Sequence, residues 1–562
     1  DKEASAVATE YHRSLRGEMM LSEMMVFPVD KSVRAYQFEP KNYDPDAQAK
    51  IQAFMSPFIH GAYACINNSA SERQCVEGRI INLRKPEPKP CNFRDTCIGE
   101  FAKLVVPDGV NLHPYDCEYI ADKQTRPAQK QSLLKAYVSG PIRKFVVKCF
   151  IKSETYNGPK DPRNITVFND SFKLEMSGYT LSMSEYCKKF DWYGPGKTPD
   201  KLAERVTSIC LNANSVNISD YHRMDGTITH VIRMVERAIM MRAFSHNRAR
   251  LNELFRESVN NKAYLPNETQ FDQLSSQGSG NPDTSLVQTL RSSFNSYLAY
   301  RKTGLHPQEA FNKLGIHLGD DGLDPELPEE AHNWASKATG LVLEASTIIR
   351  GFRGVTFLAR YYSPNVWTGD TNSMCDLKRQ LSKFHTTVRL PNNITPEQKL
   401  VEKAMSFVST DSSTPILGPY CKRVLSLSKF RPISKLGVGN WWSKFDDSVQ
   451  YPNVDVNGWM EDEVRVQLPE FAFDQFNDWL ESCKTIEELL SPKLFHPIET
   501  PRSIPASVVV DDQIYTIEKE ITETTTTSTQ AGDIPNIRSE DIPTEVKVFR
   551  GPDGTTTSHR VI

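Results

Sequence analysis

Two adjacent carboxylates at the tip of a tight turn constrain this chain more than any other feature. Gly319-Asp320-Asp321 follows a short apolar stretch, Leu314, Ile316 and Leu318, and precedes Gly322. The pattern reads as strand, turn, strand, with both acids on one edge of a sheet. Taken alone, such a triplet is a common surface turn. Its weight comes from two further stations upstream.

The first station is Asp220-Tyr221-His222-Arg223-Met224-Asp225-Gly226, at the end of a predicted buried strand over Ser215–Ile218. The second is Gln277-Gly278-Ser279-Gly280-Asn281, followed by Pro282 and Asp283, which open a predicted helix with Asp283 as its N-cap. Transfer of a phosphoryl group from a nucleoside triphosphate uses two divalent cations about 4 Å apart. Magnesium takes oxygen ligands. Asp220 and Asp320 are therefore the expected principal ligands of two Mg²⁺ or Mn²⁺ ions, with Asp321 in support. Asp225, beyond the strand, is expected to accept a hydrogen bond from a ribose 2′-hydroxyl, so that a deoxy substrate leaves a polar group unpaired. Gly278 and Gly280 are expected to let backbone approach a nucleotide and to reach positive φ. Thr284, in the first helical turn, is expected to face the ribose. A single Asp in such a place reads equally well as a helix cap or a surface charge. A lone glycine-rich segment reads as a linker, and Ser275–Gly280 has the small residues of a flexible one. The order and spacing of all three stations carry the argument.

A basic station precedes them. The net charge is −3, so contact with nucleic acid depends on local patches rather than on a global field. One patch runs from Arg143 to Arg163 and includes Lys144, Lys148, Lys152 and Lys160, opposed only by Glu154 and Asp161. Lys152, Lys160 and Arg163 are expected to neutralise a triphosphate and the departing pyrophosphate, with Glu154 orienting one of them. The plain alternative is a solvated charged face.

The rest of the chain sets the frame. Its 562 residues suffice for several domain-sized units. No stretch reaches the ~18 consecutive apolar residues of a membrane span. The missing initiator Met and signal pattern read as a piece of a longer product. Eleven scattered cysteines argue for a reducing compartment. Cys91, Cys97, His113 and Cys117 match no standard zinc spacing. Amphipathic helices are predicted after Gly226 (Ile228, Ile232, Val235, Ile239) and from Asp283 (one apolar face of Leu286, Leu290, Tyr297 and Leu298). A third covers about Glu329–Ala338. Strands are predicted at Leu341–Leu343 and Val355–Leu358, and residues 376–490 read as mostly helical. Beyond residue 500 the composition turns to Thr, Pro, Gly and charge without period, which reads as a disordered tail.

In their order and spacing these motifs resemble the RNA-dependent RNA polymerases of positive-strand RNA viruses, and among them the nodavirus-like replicases. The resemblance runs from about Arg126 to Lys422. It is carried by Arg126-Pro127, the basic station, Tyr193-Gly194-Pro195-Gly196 and the three stations above. Beyond them follow Phe357-Leu358-Ala359-Arg360, Leu381 to Thr387, and Pro419-Tyr420-Cys421-Lys422. It implies an α+β fold with fingers, palm and thumb, the palm an antiparallel sheet backed by helices. The implied division is 1–125 as an N-terminal extension bridging fingers and thumb, 126–214 as fingers, 215–360 as palm with a fingers insertion at about 244–274, 361–499 as thumb, and 500–562 as the tail. It further implies template-directed RNA synthesis from ribonucleoside triphosphates, with viral RNA as template. Other replicase segments or protomers are possible partners. Any membrane association would come through segments outside this chain, at replication complexes in the host cytoplasm.

Two departures stand out. Gln288 occupies the place where the family usually has Asn. The family's fourth-motif Lys has no clear counterpart in Gly340 to Ser346, with Lys337 and Arg350 as nearby substitutes. A reverse transcriptase and a non-catalytic RNA-binding scaffold of polymerase shape are the competing readings. Asp225 and Ser279-Gly280 disfavour the former; clustered, mutually repelling carboxylates disfavour the latter.

Overall fold

The acidic stations sit on a four-stranded sheet, all of whose pairings are antiparallel. Its strands are β1 (Ser215–Tyr221), β2 (Ile316–Leu318), β3 (Asp321–Pro325) and β4 (Leu343–Ile349), in spatial order β2-β3-β1-β4. Only Gly319 and Asp320 separate β2 from β3, so the expected strand-turn-strand forms with Asp321 as the first residue of the returning strand. β4 begins where the expected strand ended. It runs on to Ile349 with Ile348 alone of its seven residues buried, so apolar patterning could not announce it.

This is a computed structural model, and it describes residues 32–124, 127–140, 146–390, 392–430, 449–497, 504–516, 546–550 and 556–560. Arg126, Arg143, Lys144 and the Thr-rich stretch 524–529 lie outside the described residues.

Helices α2 (Thr284–Lys302) and α3 (Glu329–Thr339) back the palm sheet, and α1 (His230–Ala243) packs on α2. Thr229 caps α1 by accepting from the Ile232 amide, and Ile232, Val235 and Ile239 are buried as the periodicity predicts. The expectation of a single apolar face on α2 needs correction. Every residue from Leu286 to Tyr300 is buried, because α1, α3 and the palm sheet surround the helix. Its polar positions are therefore hydrogen-bonded inside the protein rather than solvated. Asp283 stands at the N-cap position but caps nothing. Its carboxylate accepts from Gln277 Nε2 at 2.9 Å instead.

A second sheet, in the order Asn164–Val167, Val147–Ile151, Lys262–Tyr264, Gln270–Asp272, lines a cavity that the palm stations also line. Helices Pro396–Asp411, Leu417–Leu427, Trp459–Gln467, Phe473–Ser482 and Ile486–Leu490 supply the third region. Phe54, Met55, Phe58 and Ile59 from the N-terminal region join their apolar core. The Thr356–Phe357 strand turns through Leu358 and Ala359, both at left-handed φ (52° and 54°), into Arg360–Tyr362. No helix among the described residues is long and apolar enough to cross a membrane.

The reading of 500–562 as largely disordered is corrected at residues 508–515 by a five-stranded sheet. Val508–Val510 pairs with Arg34–Phe38 and with Gln513–Tyr515, and Tyr63–Cys65 and Thr155–Tyr156 complete the order. Val508 and Val510 are fully buried, which supplies the apolar drive that the surrounding composition conceals. Arg34 Nη1 lies 2.8 Å from the Asp511 carboxylate, both side chains only 3% exposed. Residues 518–562 form a separate unit, whose described part is the antiparallel hairpin of Val546–Arg550 and Thr556–Arg560.

Candidate active site

Gly319 adopts φ 68°, a left-handed conformation that suits a residue without Cβ. Both its backbone groups are held by α2. Its amide donates to Thr289 Oγ1 at 2.9 Å, and its carbonyl accepts from Ser292 Oγ at 3.0 Å. The buried polar face of α2 thus fixes the turn that presents Asp320 and Asp321. On the other side of β3, β1 places Asp220 one residue beyond the Gly322–Ser219 pair.

The three aspartates line one cavity of about 920 Å³, together with Asp225, Ser279, Thr284, Gln288 and Arg163. Asp220 and Asp320 are exposed to it and Asp321 is half-buried. The cavity walls still remove enough water to lift all three carboxyls above their usual range. For Asp220, burial is joined by the charge of Glu344, against a hydrogen bond from the Tyr221 amide at 2.7 Å. For Asp320, burial is followed by the charge of Asp220. Asp321 is pushed up to about 7 by burial and by Asp320 and Asp220, with Arg379 opposing. Mutual repulsion of this kind is relieved by a cation. Among the described residues no three His, Cys, Asp or Glu side chains form a closed metal cage. The donor set nevertheless fits hard divalent ions, being all carboxylate and open to one cavity that a substrate could share. Cys97 is fully buried in the apolar core.

Asp225 is half-buried and accepts from Gln288 Nε2 at 2.8 Å. Burial raises its carboxyl, and Gln288 and the nearby Arg291 act against that. Gln288 Oε1 in turn accepts from Arg291 Nη1 at 3.1 Å, and Gln277 Oε1 accepts from the same nitrogen at 3.2 Å. Arg291 is fully buried and pairs with Glu236 through both Nε (3.0 Å) and Nη2 (2.5 Å). The longer amide at position 288 therefore spans from Asp225 to this arginine.

The glycine-rich station works differently from expectation. Neither Gly278 nor Gly280 has positive φ. A Cβ on Gly280 would collide with the Thr166 carbonyl, and one on Gly278 with the Phe168 ring. The glycines bring the loop against the Asn164–Val167 strand and Phe168, and Gly280 is absent from the cavity wall. Ser279 completes that contact: its hydroxyl donates to the Asn164 carbonyl at 3.0 Å and accepts from the Thr166 amide at 3.1 Å. Thr284 lines the cavity, but its hydroxyl lies 2.9 Å from the carbonyls of Gly278 and Asn281. The segment expected to be flexible is pinned by Arg233, which donates to the carbonyls of Ser275 (2.8 Å) and Ser276 (3.0 Å).

Among the described residues of the basic station, Arg163 alone reaches the cavity wall. Lys152 pairs with Glu154 at 2.8 Å, and Glu154 also lies 3.7 Å from Arg163, the orienting contact expected of it. Lys160 is outside the wall, with its ammonium lowered by burial and by Arg79 and Arg223. Sequence reasoning missed Arg79, Arg223, Glu344 and Arg379, all of which line the cavity. Arg223 lay in view inside the first station. Glu344 becomes visible only through the β4 register, which sets it opposite Asp220.

No protein-family model matches the chain. Individual proteins do. It is 30% identical over 396 residues to the RNA-directed RNA polymerase of Pieris rapae virus, covering 67% of this chain and 38% of that protein. It is 28% identical over 482 residues to that of Striped jack nervous necrosis virus, covering 81% of this chain and 48% of the relative. The chain thus spans less than half the length of both. Among solved structures, an insertion-loop deletion mutant of the RNA-dependent RNA polymerase of a human picorbirnavirus superposes with a TM-score of 0.53 at 13% identity, over 65% of this chain and 77% of that one. That likeness concerns the fold. By sequence over most of its length and by its α+β polymerase fold, the chain is a relative of the nodavirus-like viral RNA-dependent RNA polymerases.

Proposed function

We propose that the chain synthesises RNA on an RNA template from ribonucleoside triphosphates by metal-assisted nucleotidyl transfer. One observation carries the reading: Asp220, Asp225, Gln288, Asp320 and Asp321, from three separate stretches of sequence, face one cavity together with Arg163. Asp220 and Asp320, supported by Asp321, would hold two Mg²⁺ or Mn²⁺ ions. When bound, such ions supply activation of the primer 3′-hydroxyl and charge stabilisation of the pyrophosphate.

The protein groups do the remaining work. Arg163, steadied by Glu154, neutralises the triphosphate, with Lys152 and Lys160 adding positive potential behind it. Asp225, held by Gln288, accepts from the ribose 2′-hydroxyl. α2 holds Gly319 so that the Asp320 carboxylate is already in place when substrate arrives. The partners in this reading are template and product RNA and ribonucleoside triphosphates, with other segments or protomers of a longer replicase. The setting is a membrane-associated replication complex in a host cytoplasm, reached through segments other than these.

The test is ribonucleotide incorporation on a short primed RNA, with and without Mg²⁺ or Mn²⁺, beside Asp320→Asn. The expected result is metal-dependent extension that the variant loses while still binding RNA. Wild-type synthesis by Asp320→Asn removes the metal assignment. RNA binding without extension by either protein favours a non-catalytic scaffold.

A further inference from the structure

The turn that carries Lys160 and Arg163 contains a buried acid. Asp161 is 3% exposed. Its carboxylate accepts from Gln74 Nε2 at 2.7 Å and pairs with Arg223 Nη1 at 2.6 Å. Its carbonyl accepts from Arg79 Nε at 3.1 Å and Nη2 at 2.9 Å. The helix that supplies Gln74 and Arg79, Ser69–Arg79, has Gly78 where the Asp161 side chain approaches, and a Cβ there would overlap the carboxyl group. The same Gly78 carbonyl accepts a hydrogen bond from Arg223. A carboxylate approached by two side-chain donors and seated against a glycine is built into the fold rather than left over on a charged face.

Arg223 comes from the turn between Asp220 and Asp225 and adopts φ 47°. A non-glycine residue there is uncommon and is held by its surroundings. Here the holding contacts are Asp161 and the Gly78 carbonyl. Arg79, Arg163 and Arg223 crowd one side of the cavity, and Arg79 is depressed by burial and by Arg223. The cluster needs a counter-anion when no nucleotide is bound, and Asp161 is the carboxylate that the fold places in it.

We propose that Asp161 and Arg223 form a positioning pair that ties the basic turn bearing Lys160 and Arg163 to the carboxylate turn bearing Asp220 and Asp225, and thereby sets the affinity for the nucleoside triphosphate. The pair's role rests on the polymerase reading above. It acts through its neighbours: Asp161 fixes where Arg163 stands relative to Asp225, so triphosphate and ribose are gripped at the correct separation. Losing that spacing weakens ground-state and transition-state contacts alike, and uniform loss of this kind raises KM.

The experiment compares steady-state ribonucleotide addition on a primed RNA by wild type, Asp161→Asn, Arg223→Gln, Arg223→Lys and the Asp161→Asn/Arg223→Gln double variant. Melting curves and primer–template affinity are measured alongside. Asp161→Asn keeps the shape of the side chain and a partner for Gln74, but removes the charge. The expected result is a KM for nucleotide raised roughly tenfold in each of the two neutral variants, with kcat and RNA affinity little changed. Arg223→Lys recovers most of the loss. The double variant is no worse than the poorer single one, because one interaction has been removed twice. Wild-type KM in Asp161→Asn, or single effects that multiply in the double variant, would overturn the pair while leaving the polymerase reading intact. Should Asp161→Asn fail to fold, the Arg223→Gln and Arg223→Lys comparison decides alone: equal KM values overturn the proposal. A wild-type protein that adds no nucleotide overturns the polymerase reading itself, and the pair's role with it.

Discussion

Gln288 Nε2 donates to the Asp225 carboxylate at 2.8 Å across 63 residues of sequence, and the same amide accepts from the buried Arg291 through its oxygen at 3.1 Å. In the proposed reading of Asp225, selection of the ribose is thereby connected to the core of the palm. Shortening the side chain by one methylene in Gln288→Asn breaks one or both contacts. A buried polar group left without its partner costs about 1–3 kcal/mol. The expected outcome is a fall in the ribo-to-deoxy ratio of kcat/KM of roughly tenfold, with extension on ribonucleotides retained. Competing ATP and dATP incorporation on one template measures it. An unchanged ratio would place 2′-hydroxyl recognition elsewhere.

Arg291 and Glu236 make a two-point ion pair with exposures of 0% and 2%. Removing the cation leaves Glu236 buried with only Arg233, at 3.6 Å, as a charged partner. Breaking a buried pair from one side typically costs about 3–5 kcal/mol. Arg291→Met is expected to lower the denaturation midpoint sharply. Adding Glu236→Gln is expected to restore part of the loss, since the second change removes the stranded charge. Urea unfolding of both variants checks the order. A double variant less stable than Arg291→Met would show that Glu236 is held by more than this pair.

How much of this was legible beforehand differs from residue to residue. The order of Asp220, Asp225, Ser279, Thr284, Asp320 and Asp321 was readable because each station combines a chemical residue with a turn or helix signal of its own. What those residues touch was not. Gly280 looked like a nucleotide-facing glycine, but its missing Cβ makes room for the Thr166 carbonyl, a contact between segments more than a hundred residues apart in sequence. Asp161 looked like a minor charge opposing a basic patch. Its partners Gln74 and Arg223 meet only when the fold is complete. The 504–516 segment is a different kind of miss, because a signal was present. Val508-Val509-Val510, then Asp511-Asp512, then Gln513-Ile514-Tyr515 is a β-branched run, a turn and a second run. The surrounding Thr, Pro and charge masked it. Lys152 and Lys160 show the limit of patch reasoning: charge density marked the region, but among its described residues Arg163 alone reaches the cavity.

The metal-free protein should carry a pH signature at Asp321. Its carboxyl lies at about 7 in the fold against an ordinary 3.8. The native state therefore holds a proton that the unfolded chain releases earlier. The resulting stability is fully present below about pH 4 and is lost as pH rises through about 7. In chelator, the wild-type melting temperature is expected to fall across that window, and Asp321→Asn to fall less. The variant should accordingly melt higher than wild type at pH 8 and match it near pH 4. Adding Mg²⁺ at pH 8 should raise the wild-type melting temperature and raise that of the variant less. Parallel pH curves for the two proteins in chelator would remove the assigned shift.

Tyr36 connects the sheet built from both ends of the chain to the basic turn. Its hydroxyl donates to the Lys160 carbonyl at 2.8 Å and lies 3.3 Å from the Lys160 amide, while its own strand pairs Tyr36 with Val510. The ring is fully buried between Phe38, Val508 and their neighbours, so removing the oxygen leaves the packing in place. Tyr36→Phe is expected to cost about 1 kcal/mol of global stability and to speed amide exchange at Lys160. Exchange along Ser215–Tyr221 should stay as it was, because the palm sheet makes no use of this contact. Asp511→Asn weakens the Arg34 ion pair at 2.8 Å and should loosen the same sheet, with faster exchange at Arg34–Phe38 and Thr155–Tyr156. Hydrogen exchange on the full chain reads both effects. Faster exchange confined to Val508–Tyr515 in Asp511→Asn would mean that the C-terminal strands lie on the sheet without supporting the basic turn.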